Sequence, residues 1–272
     1  MHGRLEKKTC YLCETAASFE HKVEPTFNAI VATNTVMRIA LLYNRDIYAL
    51  SALNDLLPAL DQHELALFFS SQVGAHTIRD PRLVSLASYE KTFSTHSNLS
   101  FEALAAKTGR DEQRIEQING RDLAHLSAFK PDLIISIRFG QILKAAAIAV
   151  PSIGVINLHS GLLPQYKGVM ASFWSLLRDE AWLGTTLHWI TDSQIDSGHL
   201  ISTRSHPINP AASYAEQVMS LYAAGVEQIL QAVANIHVLA AEPKTSLPTG
   251  SYFSFPTAAD IDLFESKGWR LY

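Results

Sequence analysis

The sequence predicts an α/β fold, a doubly wound and mostly parallel Rossmann-like sheet that ends in a short C-terminal helical and aromatic tail. Short, nearly continuous apolar segments recur along the chain, and such segments are typical of strands buried on both faces. Segments with apolar residues at helical spacing separate them, which favours parallel βαβ units. With 272 residues, of which 47% are hydrophobic, the chain is long enough to bury such a core.

The first predicted unit is a strand, a helix and a second strand. Residues 37–43 are apolar except for Arg38 and are predicted to form a buried strand, so the fold is expected to begin at Met37. Residues 46–60 repeat apolar side chains at intervals of three and four, which predicts a helix with one buried face. Residues 64–70 are again short and apolar, and they are predicted to form the second strand.

The region from residue 81 to residue 127 is predicted to be helical with polar interruptions. Pro81 opens the first helical segment, because proline is favoured in the first turn of a helix. Ser100 is expected to cap the second, since its hydroxyl can accept a hydrogen bond from a free backbone N–H. The third helical segment is predicted to start at Asp111.

Two further strands are predicted on either side of a short helix. Residues 132–137 are apolar and β-branched, and they are predicted to form the third strand. A helix over residues 142–148 then leads to a strand at residues 154–157. Asn157 and His159 are therefore expected where this strand opens into a loop, and such loops carry the chemistry of α/β folds.

The following region is predicted to contain an amphipathic helix, two strands and a long helix. The amphipathic helix spans residues 169–178, and the strands at 184–190 and 200–205 flank a loop that contains Asp196. Ser213 and the glutamate three residues later form a capping box, which predicts a helix from there to about residue 237.

The chain is predicted to have three regions. Residues 1–36 are expected to be a flexible leader, residues 37–240 the main domain, and residues 241–272 an aromatic tail that packs on the body. Cys10 and Cys13 in the leader have the spacing of half a zinc site or of a redox pair. No second ligand pair follows at finger spacing and no strand precedes the cysteines, so incidental thiols are the preferred interpretation.

The composition argues against several functional classes. A net charge of −4 and an isoelectric point near 6.2 are unfavourable for a nucleic-acid platform. No apolar segment approaches the roughly 20 residues that span a bilayer, so no membrane partner is expected. The low cysteine content and the lack of an apolar signal core are typical of a cytoplasmic protein. The apolar tail allows either a monomer or a homodimer.

Asn157, His159 and Asp196 are an amide, an imidazole and a carboxylate that the predicted fold brings near one another. Attack of an amine on a carbonyl-like carbon places negative charge on an oxygen, which an amide donor and an imidazolium stabilise. A carboxylate orients the imidazole and favours its charged form. Each of these residues alone is more often structural than catalytic. Together, and without a nucleophilic serine or cysteine, they indicate direct transfer between two bound substrates.

The blocks around these residues resemble those of the folate-dependent formyltransferases. The resemblance covers residues 131–205, is weaker back to Met37, and depends on several blocks in the right order. These blocks are Asn157-Leu158-His159, Leu162-Leu163-Pro164, Tyr166-Lys167-Gly168, Thr185-Thr186-Leu187-His188 and Ile195-Asp196-Ser197-Gly198. The resemblance implies the formyltransferase fold, with residues 37–240 as its catalytic domain.

The resemblance also implies 10-formyltetrahydrofolate as the formyl donor, and no metal. Asn157 and His159 would then bind the developing oxyanion, while Asp196 would poise His159 and relay protons. The residues implied in binding the pteridine, largely through their backbone, are Gln141, Ile142, Leu143, Asp192, Gln194 and Ile195. The residues implied in the substrate loop are Ser160, Gly161, Lys167 and Gly168.

The chain departs from the family pattern in two places. His159-Ser160-Gly161 stands where the family usually has His-Pro-Ser, which removes a rigid proline and a hydroxyl. The residues after the first strand, 43–46, do not form the glycine-rich phosphate loop of the purine-pathway members. His188 resembles a family position near the site, but a histidine that packs inward from a strand explains it equally well.

The acceptor of the formyl group is predicted to be the amine of a small molecule. Members that formylate transfer RNA carry a further basic domain, and none is expected after residue 205. A nucleotide-linked amino sugar is the first expectation, and a hydroxyornithine-type or amino-acid amine in natural-product biosynthesis is the alternative. Two other classes stay open: a formyltetrahydrofolate hydrolase and a folate-binding module without activity.

Overall fold

The computed structural model describes residues 35–71, 80–92 and 99–272. The predicted leader at residues 1–36, including Cys10 and Cys13, lies outside the described residues except for its last two positions. The division into three regions is untested and stays a prediction.

The described residues contain a large sheet and a small one. The large sheet has the strand order β3-β2-β1-β4-β5-β7-β8-β9, and β6 and β10 form the small sheet. The strands are β1 (Arg38–Asn44), β2 (Glu64–Ser70), β3 (Gln113–Arg114), β4 (Leu133–Ile137), β5 (Gly154–His159), β6 (Lys167–Gly168), β7 (Trp182–Ile190), β8 (His199–Pro207), β9 (Thr245–Ser246) and β10 (Tyr252–Phe253).

The helices surround this sheet. They are α1 (Ile47–Ala59), α2 (Pro81–Thr92), α3 (Phe101–Lys107), α4 (Leu123–Phe129), α5 (Ala145–Ile148), α6 (Ala171–Leu177), α7 (Tyr214–Ala234), α8 (Ile236–Ala241) and α9 (Ala258–Ser266). No helix in the described ranges is both long and apolar enough to cross a membrane.

The sheet is parallel from β3 to β5 and antiparallel from β5 to β9. Alternate residues of β1 belong to two separate core clusters, so each face of the sheet is covered. One cluster contains residues of α1, α2, α3, α6, α7 and α9, and the other contains residues of α4 and α5. The predicted doubly wound, mostly parallel α/β fold is thereby confirmed.

The predicted starts of three helices match the structure. Asp46 caps α1 by accepting hydrogen bonds from the backbone N–H groups of Tyr48 and Ala49. Ser100 caps α3 through its hydroxyl. Ser213 opens α7 with the predicted capping box.

The predicted helix from Asp111 is wrong. Gln113 and Arg114 instead pair with Phe68 and Phe69 as the edge strand β3, and the next helix begins at Leu123. The helix predicted over residues 142–148 is restricted to α5. The long C-terminal helix stops at Ala234, where Asn235 separates it from α8.

The strand predicted to end at Asn157 continues to His159. The parallel neighbour β4 pairs with β5 only as far as Leu158, but the antiparallel neighbour β7 extends the pairing, so that Thr186 faces His159. Asn157 and His159 therefore lie two apart on a strand, and their side chains point to the same face. This placement aims both side chains at one cavity.

The tail packs against the body through aromatic side chains. The Phe264 ring stacks on the Phe173 ring, with 4.4 Å between the centroids. Phe253 stacks on Tyr166 and on Trp174, with centroid distances of 5.6 Å and 5.1 Å. β10 thereby holds its partner strand β6, which borders the candidate site.

Candidate active site

A cavity of about 750 Å³ opens at the carboxyl ends of β1, β4 and β5. In the strand order, β1 has β2 on one side and β4 on the other, so the chain reverses its direction of winding at this point. Ligands of open α/β sheets bind in the crevice at such a switch point. Asn157, His159 and Asp196 all line this cavity, and so does His188.

Asn157 and His188 form a cross-strand pair. They face each other in the antiparallel register of β5 and β7, and Asn157 Nδ2 lies 3.1 Å from His188 Nε2. His188 Nδ1 lies 3.1 Å from the Trp189 carbonyl oxygen, which can only accept, so Nδ1 carries the hydrogen. In the neutral ring, Nε2 then accepts from the Asn157 amide. His188 fixes this amide in place, and the second N–H of Nδ2 is not used by that bond.

His159 is a buried histidine with a defined tautomer. Its Nε2 lies 2.7 Å from the Tyr166 carbonyl oxygen, so Nε2–H donates to that carbonyl. The other ring nitrogen, Nδ1, therefore faces Asp196 Oδ2 at 3.5 Å. A second proton on this ring would lie directly beside a carboxylate.

Asp196 is a buried carboxylate between two imidazole rings. Its Oδ2 accepts a 2.8 Å hydrogen bond from the Gly168 N–H, and its Oδ1 lies 3.6 Å from His188 Nε2. Burial alone raises the pKa of Asp196. The charge interaction with His159, the interactions with His188 in its protonated form and the hydrogen bond from the Gly168 N–H outweigh this effect. The pKa of Asp196 falls to about 2. The side chain is therefore ionised at neutral pH and can orient and stabilise a positive imidazolium.

The backbone conformation at two positions makes this approach possible. Asp196 itself has a φ of 50°, and Gly168 has a φ of 96°. A Cβ at Gly168 would lie 2.2 Å from the Phe253 carbonyl oxygen, so a side chain cannot be accommodated there without a shift. Gly168 lets its loop pass close enough for its N–H to reach Asp196.

Gly161 lies against the His159 ring. A Cβ at this position would be 2.7 Å from His159 Nε2 and 2.4 Å from Ala171 Cβ. The absence of a side chain at Gly161 therefore permits the ring orientation in which His159 donates to the Tyr166 carbonyl. The departure from His-Pro-Ser thus bears directly on the geometry of the histidine.

The predicted substrate-loop residues fall into two groups. Ser160 and Gly168 line the cavity, whereas Gly161 and Lys167 do not. Lys167 is buried, and its Nζ donates to the Pro248 carbonyl oxygen at 3.4 Å. A direct contact of Gly161 or Lys167 with substrate stays a prediction.

All six residues predicted to bind the pteridine line the cavity. The Gln141 side chain is occupied elsewhere, since it bonds to the backbone N–H of Ile118 and the carbonyl of Ile115, each at 2.9 Å. Ile142 is 50% exposed and Ile195 is 37% exposed. This part of the cavity therefore offers apolar surface and backbone groups rather than the Gln141 side chain.

Sequence reasoning left His188 open and missed Arg138. His188 belongs to the polar cluster of Asn157, His159 and Asp196. Its membership is evident only from the strand pairing that places it opposite Asn157. Arg138 lines the same cavity directly after β4. Its signal was available, because it is a polar residue at the end of a predicted strand, as Asn157 is. Within the described ranges, no group of three or more His, Cys, Asp or Glu side chains is arranged to hold a metal ion.

The chain is similar to known proteins and to one protein family. The model of the family described as formyl transferase matches residues 88–233, more than half of the chain. A methionyl-tRNA formyltransferase from Roseiflexus sp. (strain RS-1) is 30% identical over 109 residues, which are 40% of this chain and 33% of that protein. The chain thus matches about a third of the length of such curated relatives.

Two solved structures are similar in fold. A sugar N-formyltransferase from a Shewanella species has a TM-score of 0.55 and 16% identity, with 84% of this chain and 86% of that chain covered. An N-formyltransferase from Helicobacter canadensis, in complex with folinic acid and dTDP-3-aminofucose, has a TM-score of 0.56 and 20% identity. In that case 83% of this chain and 72% of that chain are covered.

Proposed function

Because the chain belongs to the formyl transferase family, we propose that it transfers a formyl group from 10-formyltetrahydrofolate to the amine of a small molecule. The observation that carries this proposal is the convergence of Asn157, His159 and Asp196 on one cavity at the switch point of the sheet. The cluster contains an amide donor, an imidazole and an ionised carboxylate, which are the groups that acyl transfer to an amine requires.

In this proposal Asn157 binds the oxygen of the formyl group as negative charge develops on it. One N–H of its amide bonds to His188, which holds the second N–H in a fixed direction. A donor that is already oriented stabilises developing charge without reorganisation during the reaction, and one such donor contributes about 3–4 kcal/mol to the barrier.

His159 and Asp196 act as a pair. The carboxylate beside Nδ1 stabilises the imidazolium, whose positive charge lies at the wall of the cavity. The Nε2–H bond to the Tyr166 carbonyl keeps the ring in place, and this hydrogen is transferred to the oxyanion only if the ring turns away from that carbonyl. Asp196 is also placed to relay the proton that the amine loses through water.

The donor is proposed to occupy the part of the cavity beside Gln141, Ile142, Leu143 and the loop at residues 192–196. This surface combines two partly exposed isoleucines with backbone groups, which suits a flat heteroaromatic ring with several hydrogen-bonding atoms. The bound folate supplies the formyl carbon. The folinic acid in the Helicobacter canadensis structure supports a folate donor.

The acceptor is proposed to be a nucleotide-linked amino sugar. Structures similar in fold include one described as a sugar N-formyltransferase and one that contains dTDP-3-aminofucose, and these support the proposal. The methionyl-tRNA formyltransferases among the relatives make transfer RNA the first competitor. The net charge of −4 is unfavourable for that acceptor.

An assay of tetrahydrofolate release from 10-formyltetrahydrofolate tests the proposal. The full chain is incubated with a panel of dTDP-linked amino sugars, with N5-hydroxyornithine, with methionyl-tRNA and without acceptor. Release that depends on an amino sugar is expected. Release without any acceptor would indicate a hydrolase, and release with methionyl-tRNA alone would contradict a small acceptor. Folate binding without release in every arm would favour a binding module.

A further inference from the structure

Arg138 stands between the carboxyl ends of β1 and β5, beside the catalytic cluster. The last residue of β4, Ile137, pairs with Tyr43 of β1 and with Leu158 of β5. The next residue is therefore level with His159. Arg138 has a φ of 57°, which is uncommon for a residue with a side chain, and such backbone conformations concentrate at ligand sites.

The guanidinium of Arg138 is held from one side. Its Nε donates a 2.7 Å hydrogen bond to Asp46 Oδ2, and its Cζ lies 4.6 Å from the centroid of the Tyr48 ring. Asp46 is itself fixed, because its Oδ1 accepts from the N–H groups of Tyr48 and Ala49 at the start of α1. The orientation of Arg138 is thus determined by the folded chain before any ligand binds.

The other edge of the guanidinium is uncommitted. Arg138 lines the cavity and its side chain is 20% exposed, and neither terminal amino group makes a hydrogen bond of normal geometry with a described residue. Burial opposes the charge, but the interaction with Asp46 keeps the pKa of Arg138 well above its ordinary value. The cavity therefore contains a fixed positive charge with up to four unused N–H donors.

Tyr222 supports the guanidinium from the protein side. Its buried hydroxyl lies near the side chains of Arg138 and Ser160, without a hydrogen bond of normal geometry in the described part of the chain. Tyr222 is not among the residues that line the cavity. Arg138 is therefore the group that presents donors to a ligand at this place.

The two carboxylates near Arg138 do not occupy this edge. Asp46 is bonded to Nε, to Asn44 Nδ2 and to two backbone N–H groups. Glu90 lines the cavity and accepts a 2.9 Å hydrogen bond from the Tyr48 hydroxyl, and burial raises its pKa. Glu90 makes no ion pair with Arg138 within 4 Å among the described residues.

We infer that Arg138 is a specificity residue that binds an oxyanion of the formyl acceptor. This inference rests on the proposed function, because it assigns the part of the cavity beside Arg138 to the acceptor. A phosphate of a nucleotide-linked sugar and the carboxylate of an amino acid present the same acceptor geometry to the guanidinium fork. The experiment must therefore distinguish these two sources.

Titration calorimetry with matched probes makes that distinction. One arm compares dTDP with thymidine, and the other compares L-ornithine with 1,4-diaminobutane, which lacks the carboxylate. The wild-type chain is expected to bind the member of one pair that carries the phosphate or the carboxylate at least tenfold more tightly than the member that lacks it. Arg138→Met is expected to abolish this difference, a loss of about 10- to 100-fold. The pair that shows the difference identifies the source of the anion.

A milder variant guards against misfolding of Arg138→Met. Arg138→Lys keeps the charge but loses the planar fork, so an intermediate loss is expected. Arg45→Met is the matched control, because Arg45 lines the same cavity but is already paired with Glu102 and Glu112. Its affinity for the probes should stay within about threefold of wild type.

Two results would overturn the inference. The first is that neither probe with a phosphate or carboxylate binds the wild-type chain more tightly than its analogue that lacks this group. The second is that Arg138→Met retains the full difference. The affinity for 5-formyltetrahydrofolate, measured on the same samples, separates the two proposals. If the wild-type chain binds the folate but does not distinguish the two members of either probe pair, only the role of Arg138 is refuted. If the wild-type chain does not bind the folate, the proposed function is refuted.

Discussion

Replacement of Gly161 by alanine tests whether the glycine after the histidine sets the position of His159. The new Cβ would lie 2.4 Å from Ala171 Cβ and 2.7 Å from His159 Nε2, and both distances are shorter than real Cβ contacts. Overpacking of this kind costs about 1–3 kcal/mol. Loss of chain entropy in the unfolded state returns about 0.4–1 kcal/mol. The free energy of unfolding should therefore fall by about 1–2 kcal/mol.

The catalytic effect should be larger than the effect on stability. His159 can avoid the new methyl group only by leaving the Tyr166 carbonyl, which changes its distance to Asp196. A shift of about 1 Å in a catalytic group costs on the order of 100-fold in rate. Urea unfolding and tetrahydrofolate release, measured on Gly161→Ala, should thus show a modest loss of stability and a turnover at least tenfold lower.

A double-mutant cycle assigns this effect to the histidine. In a His159→Ala background the 2.7 Å contact is absent, so Gly161→Ala should cost less free energy of unfolding there than in the wild type. Gly120→Ala is the control, because its Cβ would lie 3.3 Å from Oε1 of the flexible Gln117 side chain and at an ordinary contact distance of 3.8 Å from the Gln117 carbonyl oxygen. The reasoning is refuted if Gly161→Ala is as stable and as active as Gly120→Ala.

Three further predictions concern the residues around this histidine. Because the pKa of Asp196 is lowered in the folded state, its ionised form contributes about 2 kcal/mol of stability above pH 4, and this contribution is lost as the pH falls towards 2. The free energies of unfolding of wild type and Asp196→Asn, measured in urea, should therefore converge between pH 5 and pH 2. A difference that stays constant with pH would contradict this. Gly168→Ala should lower the free energy of unfolding by roughly 2 kcal/mol or more in urea titrations. The reasons are the φ of 96° at this position and the Phe253 carbonyl oxygen, which would lie 2.2 Å from the new Cβ. Unchanged stability would contradict this prediction. His188→Phe removes the acceptor that orients the Asn157 amide. Steady-state kinetics should therefore show turnover reduced about tenfold or more, whereas the dissociation constant for 5-formyltetrahydrofolate should be unchanged. Turnover equal to that of the wild type would count against this role of His188.

The regular part of the fold was predictable from local pattern. The second strand has the predicted bounds, the second helix begins at Pro81 as predicted, and the caps at Ser100 and Ser213 were visible because capping depends on residues three positions apart. These features depend on neighbours in sequence, which a single chain reveals directly.

The errors fall where distant segments decide the structure. The pairing of Gln113 with Phe68 overrides the helical pattern after Asp111. The extension of β5 to His159 depends on its pairing with Thr186, a residue of a later strand. No local pattern contains either pairing, so the sequence gives no signal for them.

The same reason explains which parts of the site were predicted. Asn157, His159 and Asp196 were identified from their spacing and from the family resemblance. The orientation of His159 was not, because it depends on the space that Gly161 leaves and on the Tyr166 carbonyl. Arg138 has a local signal as a polar residue at the end of a predicted strand, but its orientation depends on Asp46 at the cap of another helix.

The central claim is that the cluster around His159 performs formyl transfer, and His159→Ala tests it most directly. Tetrahydrofolate release with the best acceptor and the dissociation constant of 5-formyltetrahydrofolate are measured on the wild-type chain and on this variant. The account predicts turnover lower by two or more orders of magnitude, roughly the loss seen when an oxyanion-stabilising group is removed, with folate affinity nearly unchanged. Unchanged turnover in His159→Ala would contradict it.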